Sequence, residues 1–413
     1  MDVEIITIGD EVVTGHTVDT NSSFIGRALT DIGLNVKYKT SVGDALDVME
    51  EALRIALKRA QVVIATGGLG PTEDDMTKRA IVKVFKRNLI FHEDVLAEIK
   101  ERYRRRGIEM PAINQNQALL PQGARFFPNR FGSAVGICIA EEGRIFIALP
   151  GVPMEMRQLM ADEVVPYLRS LKGGLTLKVI KLRTTGIIES ALSELIAQNM
   201  KVDPTVRLGY LPSPCGVDLR IIAPGATEAD AEEKAKGVAF RLNEVIGKYL
   251  YGRDEDSLES VIGALLTKRK EKLCVAESCT GGQLGMAITS VPGSSNYFVG
   301  GVLSYSNEVK LQQLGVDELI LKQVGAVSEQ CALAMAIGAR KLFKTDYALS
   351  VTGIAGPDGG TEEKPVGLTF ISLAAPKRTF ARKFQFGANR EFNRSRAVYA
   401  ALEMLRREIL GII

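Results

Sequence analysis

The strongest constraint on the fold is an alternation of short apolar runs with helical periodicity, broken by glycine turns, at both ends of the chain. Val62 to Ala65 is a buried-strand run that enters Gly67-Gly68-Leu69-Gly70 directly. Cys274 to Ala276 enters Gly281-Gly282 in the same manner. An apolar strand that turns through glycine into a helix is half of a βα unit, and repeated units predict a mostly parallel, doubly wound sheet. Ligands on such sheets bind at the carboxyl ends of the strands, so the turns there are the places to look for chemistry.

The spacing predicts strands at Val3–Ile8, Val36–Val42 and Val62–Ala65, with helices over Phe24–Ile32 and from an Asp44 cap to Arg59. The middle of the chain differs: strand 177–184, helix 190–199, strands 206–211 and 217–223, helix 228–246. That is a small α+β module of the size of a KH unit. It lacks the GXXG loop with which KH domains clamp RNA backbone, so a spacer or dimerisation role is expected. Strands at 274–276, 297–305, 347–351 and 366–374 and a closing helix make up the last part. The expected organisation is two three-layer α/β domains, 1–170 and 253–413, joined by a KH-like α+β module at 171–252. Linkers are expected at Leu171–Gly174 and Tyr251–Ser257.

Composition narrows the function. With 52 basic and 49 acidic side chains the net charge is +3, which argues against a nucleic-acid or membrane footprint for the whole chain. No apolar run approaches the ~20 residues of a membrane helix, and the Met1-Asp2-Val3-Glu4 start is acidic where a secretory signal is basic. Five scattered cysteines without a CxxC pair point to reduced thiols and a cytoplasmic location. Only His16 and His92 exist. Any site beyond residue 92 must therefore work without imidazole, which excludes a Ser-His-Asp triad or His-ligated zinc there.

The first constellation runs from Thr66 through Gly67, Gly68, Leu69 and Gly70 to Glu73-Asp74-Asp75 and Thr77. Glycines between strand and helix let backbone N–H groups form an anion nest. Successive carboxylates would repel a phosphate there unless a divalent cation bridges the two. The same residues also fit a glycine turn with Thr72 and Asp75 as a capping box. Gly9-Asp10-Glu11, Asp19-Thr20-Asn21 and Leu149–Glu155 lie at other strand ends and are expected to face the same cleft. Taken together, these segments resemble the N-terminal domain of the CinA family, similar in fold to molybdopterin-binding proteins. The resemblance implies metal-dependent hydrolysis of ADP-ribose to AMP and ribose 5-phosphate. Asp75 and Thr77 match the aspartate and threonine of the molybdopterin-binding pattern, whereas Leu69 replaces a loop threonine, which disfavours a molybdopterin-type nucleotidyl transferase. The expected metal ligands are Asp75 and Asp74, for Mg or a similar ion. Glu11, Asn21, Gly67, Gly68, Gly70, Thr77 and Glu155 are the expected substrate contacts.

The second constellation is Ala276-Glu277-Ser278-Cys279-Thr280-Gly281-Gly282. A serine beside free helix N–H groups has an oxyanion or phosphate site at hand. Without histidine its base must be lysine, carboxylate or tyrosinate, and Ser304 to Lys310 supplies Tyr305 and Lys310. Ser278 as a helix cap, Lys310 as a solvated side chain and Cys279 as the nucleophile are the competing readings. Thr352 to Gly360 is a glycine-rich loop after another apolar strand, read either as a close approach to ligand or as a mobile surface loop. Residues 376–407 hold nine basic side chains against two acidic ones, with Arg390 and Arg394 on one helix face, suited to a phosphate clamp. A solvated basic helix, or weak nucleic-acid contact, is the alternative.

AESCTGG, YSNxxK and TGIAGPxGG occur in order and resemble the C-terminal CinA domain, known alone as nicotinamide mononucleotide amidohydrolase. The resemblance implies Ser278, Tyr305, Lys310 and Thr352 as active-site residues, a C-terminal arginine (Arg390 or Arg394) on the substrate phosphate, and a homodimer. Thr280, Gly281, Gly282, Asn307 and Gly353 complete the expected substrate contacts. Ser278 is expected as nucleophile and Lys310 as general base, with no cofactor in this domain. The overall expectation is a pyridine-nucleotide recycling enzyme acting on nicotinamide mononucleotide and ADP-ribose. The rival from another class is a non-enzymatic binding protein in competence or DNA repair.

Overall fold

The computed structural model of the chain describes residues 1–72, 75–171, 176–213 and 215–412. The chain divides into two compact units, Met1–Lys178 with Pro224–Ala231, and Val179–Ala223 with Glu232–Ile413.

The first unit is built on β1 (Asp2–Ile8), β2 (Asn35–Val42) and β3 (Val62–Thr66), with a small antiparallel ribbon of β4 (Leu89–Phe91) and β5 (Leu119–Pro121). It continues with β6 (Arg125–Phe127), β7 (Gly136–Glu141) and β8 (Arg144–Leu149). The sheet order is β2-β1-β3-β8-β7-β6. The first four strands are parallel and β7 and β6 run antiparallel to their neighbours. Strand side chains alternate between faces. Val3, Ile5, Val62 and Ile64 pack with Ile25, Leu29 and Leu159 on one side. Ile6, Ile8, Val63 and Ala65 pack with Met49, Leu53, Ala80 and Ile81 on the other. Those two apolar layers make the expected three-layer α/β domain.

The second unit holds two sheets. β9 (Thr176–Thr184), β10 (Arg207–Ser213), β11 (Gly216–Gly225) and β12 (Leu250–Arg253) lie in the order β10-β11-β9-β12. They share one core with the helices Glu189–Asn199 and Glu228–Ile246, through Leu192, Ile196, Val238 and Leu242. This is the expected KH-like module with one strand more. Tyr251–Arg253, the start of the expected second linker, instead belongs to β12, which pairs with β9; the polar composition of the segment hid an edge strand. Of the first expected linker, Leu171 ends a helix, and Lys172, Gly173 and Gly174 lie outside the described residues.

The other sheet runs β14-β13-β15-β16-β17, from β13 (Leu273–Glu277), β14 (Phe298–Leu303), β15 (Tyr347–Gly353), β16 (Leu368–Ala374) and β17 (Thr379–Gln385). β13 is parallel to β14 and β15, and β16 and β17 are antiparallel additions. Leu273, Val275, Leu349 and Val351 face the helices Leu258–Arg269, Gln283–Thr289 and Arg390–Leu410. Cys274, Ala276 and Ala348 face the helix Glu329–Phe343. β13 sits between parallel neighbours, so the turn after it stands at the sheet's carboxyl edge. Among the described residues no helix is long and apolar enough to cross a membrane.

Candidate active site

Glu277 closes β13 with a fully buried side chain. Its carboxylate accepts the N–H groups of Gly282 and Leu284, each at 3.0 Å, and of Gly285 at 2.8 Å. The helix Gln283–Thr289 thus has its open N-terminal donors filled from within, and the positive end of its dipole is matched by Glu277 rather than by a ligand. Gly281 and Gly282 take left-handed φ angles of 58° and 94°, which lets the chain double back over the carboxylate. This revises the expectation for the turn. Gly282 N–H serves Glu277 and Gly281 N–H serves Ser278 O at 3.1 Å. Thr280 N–H is the one of the three expected oxyanion donors left without a partner among the described residues.

Ser278 extends the ladder by donating its N–H to Val351 O at 2.9 Å, which holds the half-buried hydroxyl at the strand end. Beneath it lies Lys310, 1% exposed, on the helix Asn307–Leu314. Lys310 Nζ reaches Ser278 Oγ at 3.1 Å, Ser304 O at 2.6 Å and Tyr305 O at 3.3 Å. Those three acceptors match the three donors of an ammonium. Burial pulls the Lys310 pKa below its ordinary value, and no carboxylate pairs with it among the described residues. Once neutral, the amine keeps two donors for the carbonyls and turns its lone pair to the Ser278 hydroxyl. Lys310 is therefore not a solvated side chain, and Ser278 does not cap the helix. Cys279 is buried and its thiol is pushed up to about 11, chiefly by burial, so it carries no thiolate at neutral pH.

The other expected residues fall into two groups. Tyr305 offers Lys310 its carbonyl while its ring is 66% exposed. Asn307 is exposed at the start of a helix capped by Ser306. Thr352 is fully buried, with Oγ1 donating to Ala326 O at 2.8 Å, so it anchors the strand end to a neighbouring loop. A Cβ on Gly353 would meet Leu368 O at 2.7 Å, so the glycine there serves the close approach of β16. Arg390 and Arg394 both line a cavity of about 600 Å³ with Gly281, Gly282 and Gln283. Arg390 donates to Gly356 O at 2.8 Å and Arg394 to Thr280 O at 2.7 Å. Each guanidinium is aimed by a loop carbonyl and keeps further N–H groups for an anion.

In the first unit, Asn21 draws the strand ends together. Its buried Nδ2 donates to Gly151 O at 2.7 Å and Thr66 Oγ1 at 3.3 Å, and its Oδ1 is buried without a partner among the described residues. Asp19 caps the helix Thr20–Asp31 through Ser22 N–H at 2.8 Å and accepts from Thr7 Oγ1 at 2.7 Å. Glu11 and Asn21 line one small cavity of about 120 Å³ with Thr66 and Gly151. Gly67 and Gly68 have left-handed φ values of 118° and 59°; a side chain would strike Ile8 O at the first and Thr77 Oγ1 at the second. Thr77 Oγ1 donates to Gly67 O at 2.9 Å, and Gly67 N–H donates to Leu149 O at 3.1 Å, so Gly67 does not contribute to an open nest. Asp75 lies over Gly70 and accepts from Thr72 N–H at 2.9 Å and Thr72 Oγ1 at 2.5 Å. That is half of the capping-box pattern, but at a turn: the helix Thr77–Val84 begins after Met76. Glu155 departs from the cleft. It accepts from Asn129 Nδ2 at 2.6 Å and lines a separate cavity with Arg102 and Arg106. Asp74 lies outside the described residues.

Asp44 is not the expected helix cap. Its carboxylate accepts Asp10 N–H at 3.1 Å while Asp10 accepts Asp44 N–H at 3.1 Å. Burial, and after it the charges of Asp10, Glu11 and Asp75, hold the Asp44 carboxyl above the usual carboxylate range. Four carboxylates thus feel one another at this edge of the sheet. Among the described residues no group of three or more side chains is disposed to hold a metal ion. The donor set fits a hard cation bound by one or two carboxylates and completed by ligand oxygens and water, not an all-protein cage.

The comparisons with known proteins cover the same ground. The molybdopterin binding domain family matches residues 4–170, the damage-inducible protein CinA KH domain 181–252, and the CinA C-terminal domain 255–409. The CinA-like protein of Gemmatimonas aurantiaca is 42% identical over 411 residues, 98% of this chain and 96% of that protein. The CinA-like protein of Dictyoglomus turgidum is 40% identical over 412 residues, 100% of both. The chain belongs to the CinA family. Among solved structures, the protein CinA with unknown function from Thermoplasma acidophilum is 39% identical, with a TM-score of 0.37, covering 39% of this chain and 94% of that one.

Reading the sequence of this CinA-family chain missed Glu277, Ser304, Asn393 and Lys78. Glu277 had a signal, a carboxylate ending an apolar strand just before two glycines. Ser304 acts through its carbonyl, which no side-chain pattern reveals. Asn393 lies between the two arginines, and its Nδ2 ties Ala355 O at 3.0 Å to Gly387 O at 2.8 Å. Lys78 is buried, donates to Asn116 O at 2.8 Å and Gln117 Oε1 at 3.2 Å, and is lowered by burial to about 8.

Proposed function

We propose that this CinA-family protein is a pyridine-nucleotide recycling hydrolase, deamidating nicotinamide mononucleotide in its second unit and hydrolysing ADP-ribose in its first. The observation that carries the reading is Lys310 Nζ, buried and 3.1 Å from Ser278 Oγ. A serine hydroxyl needs a base to attack an amide, and a desolvated lysine supplies one without histidine. Ser278 Oγ bonds to the carboxamide carbon as its proton passes to Lys310 Nζ. Collapse of the tetrahedral adduct breaks the C–N bond, and Lys310 returns the proton to the leaving ammonia. Water then cleaves the acyl-enzyme, giving nicotinic acid mononucleotide and free Ser278. Thr280 N–H is the oxyanion donor, and Arg390 and Arg394 hold the phosphate in the adjoining cavity. This half of the reaction uses no metal or organic cofactor.

In the first unit, Glu11 and Asn21 position the ribose-phosphate part of ADP-ribose, and Asp75 would hold a divalent cation. Such a cation would neutralise like charge and polarise the scissile phosphorus. The convergence of Asp10, Glu11, Asp44 and Asp75 supports this reading, because a pyrophosphate meets repulsion there without a countercharge. A homodimer in the cytoplasm completes the proposal; the five cysteines, all unpaired, suit a reducing compartment.

The test is an assay of the purified full chain. Ammonia released from nicotinamide mononucleotide, and AMP released from ADP-ribose only with a divalent cation, are the expected results. A protein that releases no ammonia while remaining folded overturns the first activity, and chelator-resistant cleavage overturns the role of the metal in the second.

A further inference from the structure

The second unit contains a larger cavity, about 820 Å³, that shares no residue with the one lined by Arg390 and Arg394. Two periodicities build it. On β17, Arg382 and Phe384 alternate onto one face of the strand, and Phe386, just past its end, lines the same cavity. On the helix Arg390–Leu410, Arg396, Tyr399, Glu403 and Arg407 recur at helical spacing and turn the same way. Ser213 at the end of β10 and Gly216 at the start of β11 also lie on the wall.

The chemistry of that wall is selective. Phe384 and Phe386 lie with ring centroids 5.6 Å apart and planes 13° from parallel. Glu403 is engaged by Arg406 and Arg407, each at 2.7 Å, and cannot neutralise further cations. Arg382 and Arg396 are exposed and have no ion-pair partner among the described residues, and Glu189 is the one other acid on the wall. Ser213 Oγ is buried with no hydrogen-bond partner among the described residues. Burial pushes the Tyr399 phenol and the Cys215 thiol each up to about 12, so neither adds negative charge at neutral pH. A simple inorganic anion would leave the aromatic floor unused. A purely apolar ligand would leave the buried Ser213 hydroxyl without a partner and would use neither guanidinium group.

We propose that this cavity is a second nucleotide site, separate from the Ser278 centre, that takes a nucleoside monophosphate. Its base lies on the Phe384 and Phe386 rings, and Arg382, Arg396 and Ser213 Oγ hold its phosphate. The volume falls within the ~300–1,000 Å³ of small-molecule sites. Stacking of a base on aromatic side chains and guanidinium contacts to phosphate are the two recognitions such a ligand needs.

The experiment is photolabelling of the full chain with 8-azidoadenosine 5′-monophosphate in excess chelator, followed by peptide mapping. Label is expected on the stretches bearing Phe384 to Tyr399 or Ser213 to Gly216. AMP should protect and inorganic phosphate at the same concentration should not. The Arg382→Ala/Arg396→Ala double variant should raise the protecting AMP concentration at least tenfold, and Phe386→Leu should weaken it in a protein whose guanidinium groups are intact. Arg394→Ala, at the other cavity, should leave it unchanged. Label absent from both stretches, equal protection by phosphate, or sensitivity to Arg394→Ala alone overturns the proposal. Ammonia release is measured separately, so failure here leaves the amidase reading standing.

Discussion

Lys310 and Ser278, 32 residues apart in the chain, meet at 3.1 Å where β13 gives way to its glycine turn. The lysine is held from below by two carbonyls and the serine from behind by Val351. Ser278 is fixed by a strand far along the chain and Lys310 by the turn just before its own helix, so it is the sheet that brings the two side chains together.

If the two act as one unit, removing either removes the whole. Ser278→Ala and Lys310→Met should each lower amidase kcat by about 10³-fold or more, and the double variant should be little worse than either single one. Cys279→Ala should stay near the parent rate. Near-normal ammonia release from Ser278→Ala with an inactive Cys279→Ala would move the nucleophile to the thiol.

The base must be the neutral amine, and burial favours that form by disfavouring the charged one. Amidase kcat/KM should therefore rise with pH through the Lys310 pKa, levelling off below the ~10.4 of an ordinary lysine. Lys310→Arg, which stays charged, should be inactive across the range. A profile that falls as pH rises from 7 to 9 contradicts the assignment.

Much of this was legible because apolar periodicity is a local property. The runs at Val62–Ala65 and Cys274–Ala276 became β3 and β13, and the glycines after them became the turns expected. Where sequence reasoning failed, the deciding contact was distant or electrostatic. Asp44 looked like a helix cap, but Asp10 lay closer in space; Glu155 looked like a cleft residue, but Asn129 turned it away. Gly281 and Gly282 looked like donors for a ligand, and Glu277 had already filled the nest beside them. The edge strand β12 escaped notice because it is only four residues long, and β17 because its charged residues break any continuous apolar run.

Asp75→Asn tests the first unit. Asparagine keeps the size and can still accept from Thr72, so the turn should hold, but the charge that would meet a cation is lost. ADP-ribose cleavage should fall by about 10²-fold or more, with ammonia release unchanged. Full cleavage by the variant would remove Asp75 from the metal site.

Lys78 makes a stability prediction with a definite sign. Burial lowers it to about 8 from an ordinary 10.5, so between those values the unfolded chain binds more protons than the folded one. Stability contributed through this group therefore rises with pH across that window and is at its lowest below about 8. Denaturant titrations should show that slope in the parent and lose it in Lys78→Met. An unchanged slope in the variant would mean that Lys78 does not titrate there.

Glu277→Gln separates the architecture of the turn from the chemistry carried on it. The carboxylate has two acceptor oxygens for three N–H groups: Oε2 serves Gly282 and Leu284, and Oε1 serves Gly285. Glutamine keeps the volume but replaces one oxygen with an NH₂ group, so either one or two of those donors would face another donor. Lost bonds to a charged acceptor in a buried site cost ~1–3 kcal/mol, about 2–12 °C in the thermal midpoint for a unit of this size. The turn also aims Ser278 and Thr280 N–H, so a shift of a few tenths of an ångström should lower kcat by ~10–100-fold while KM changes little. Glu277→Asp retains the charge but withdraws it by one methylene, and should recover part of the midpoint and less of the rate. Were Glu277→Gln to unfold no earlier and turn over no slower than the parent, the carboxylate would not be what shapes the turn.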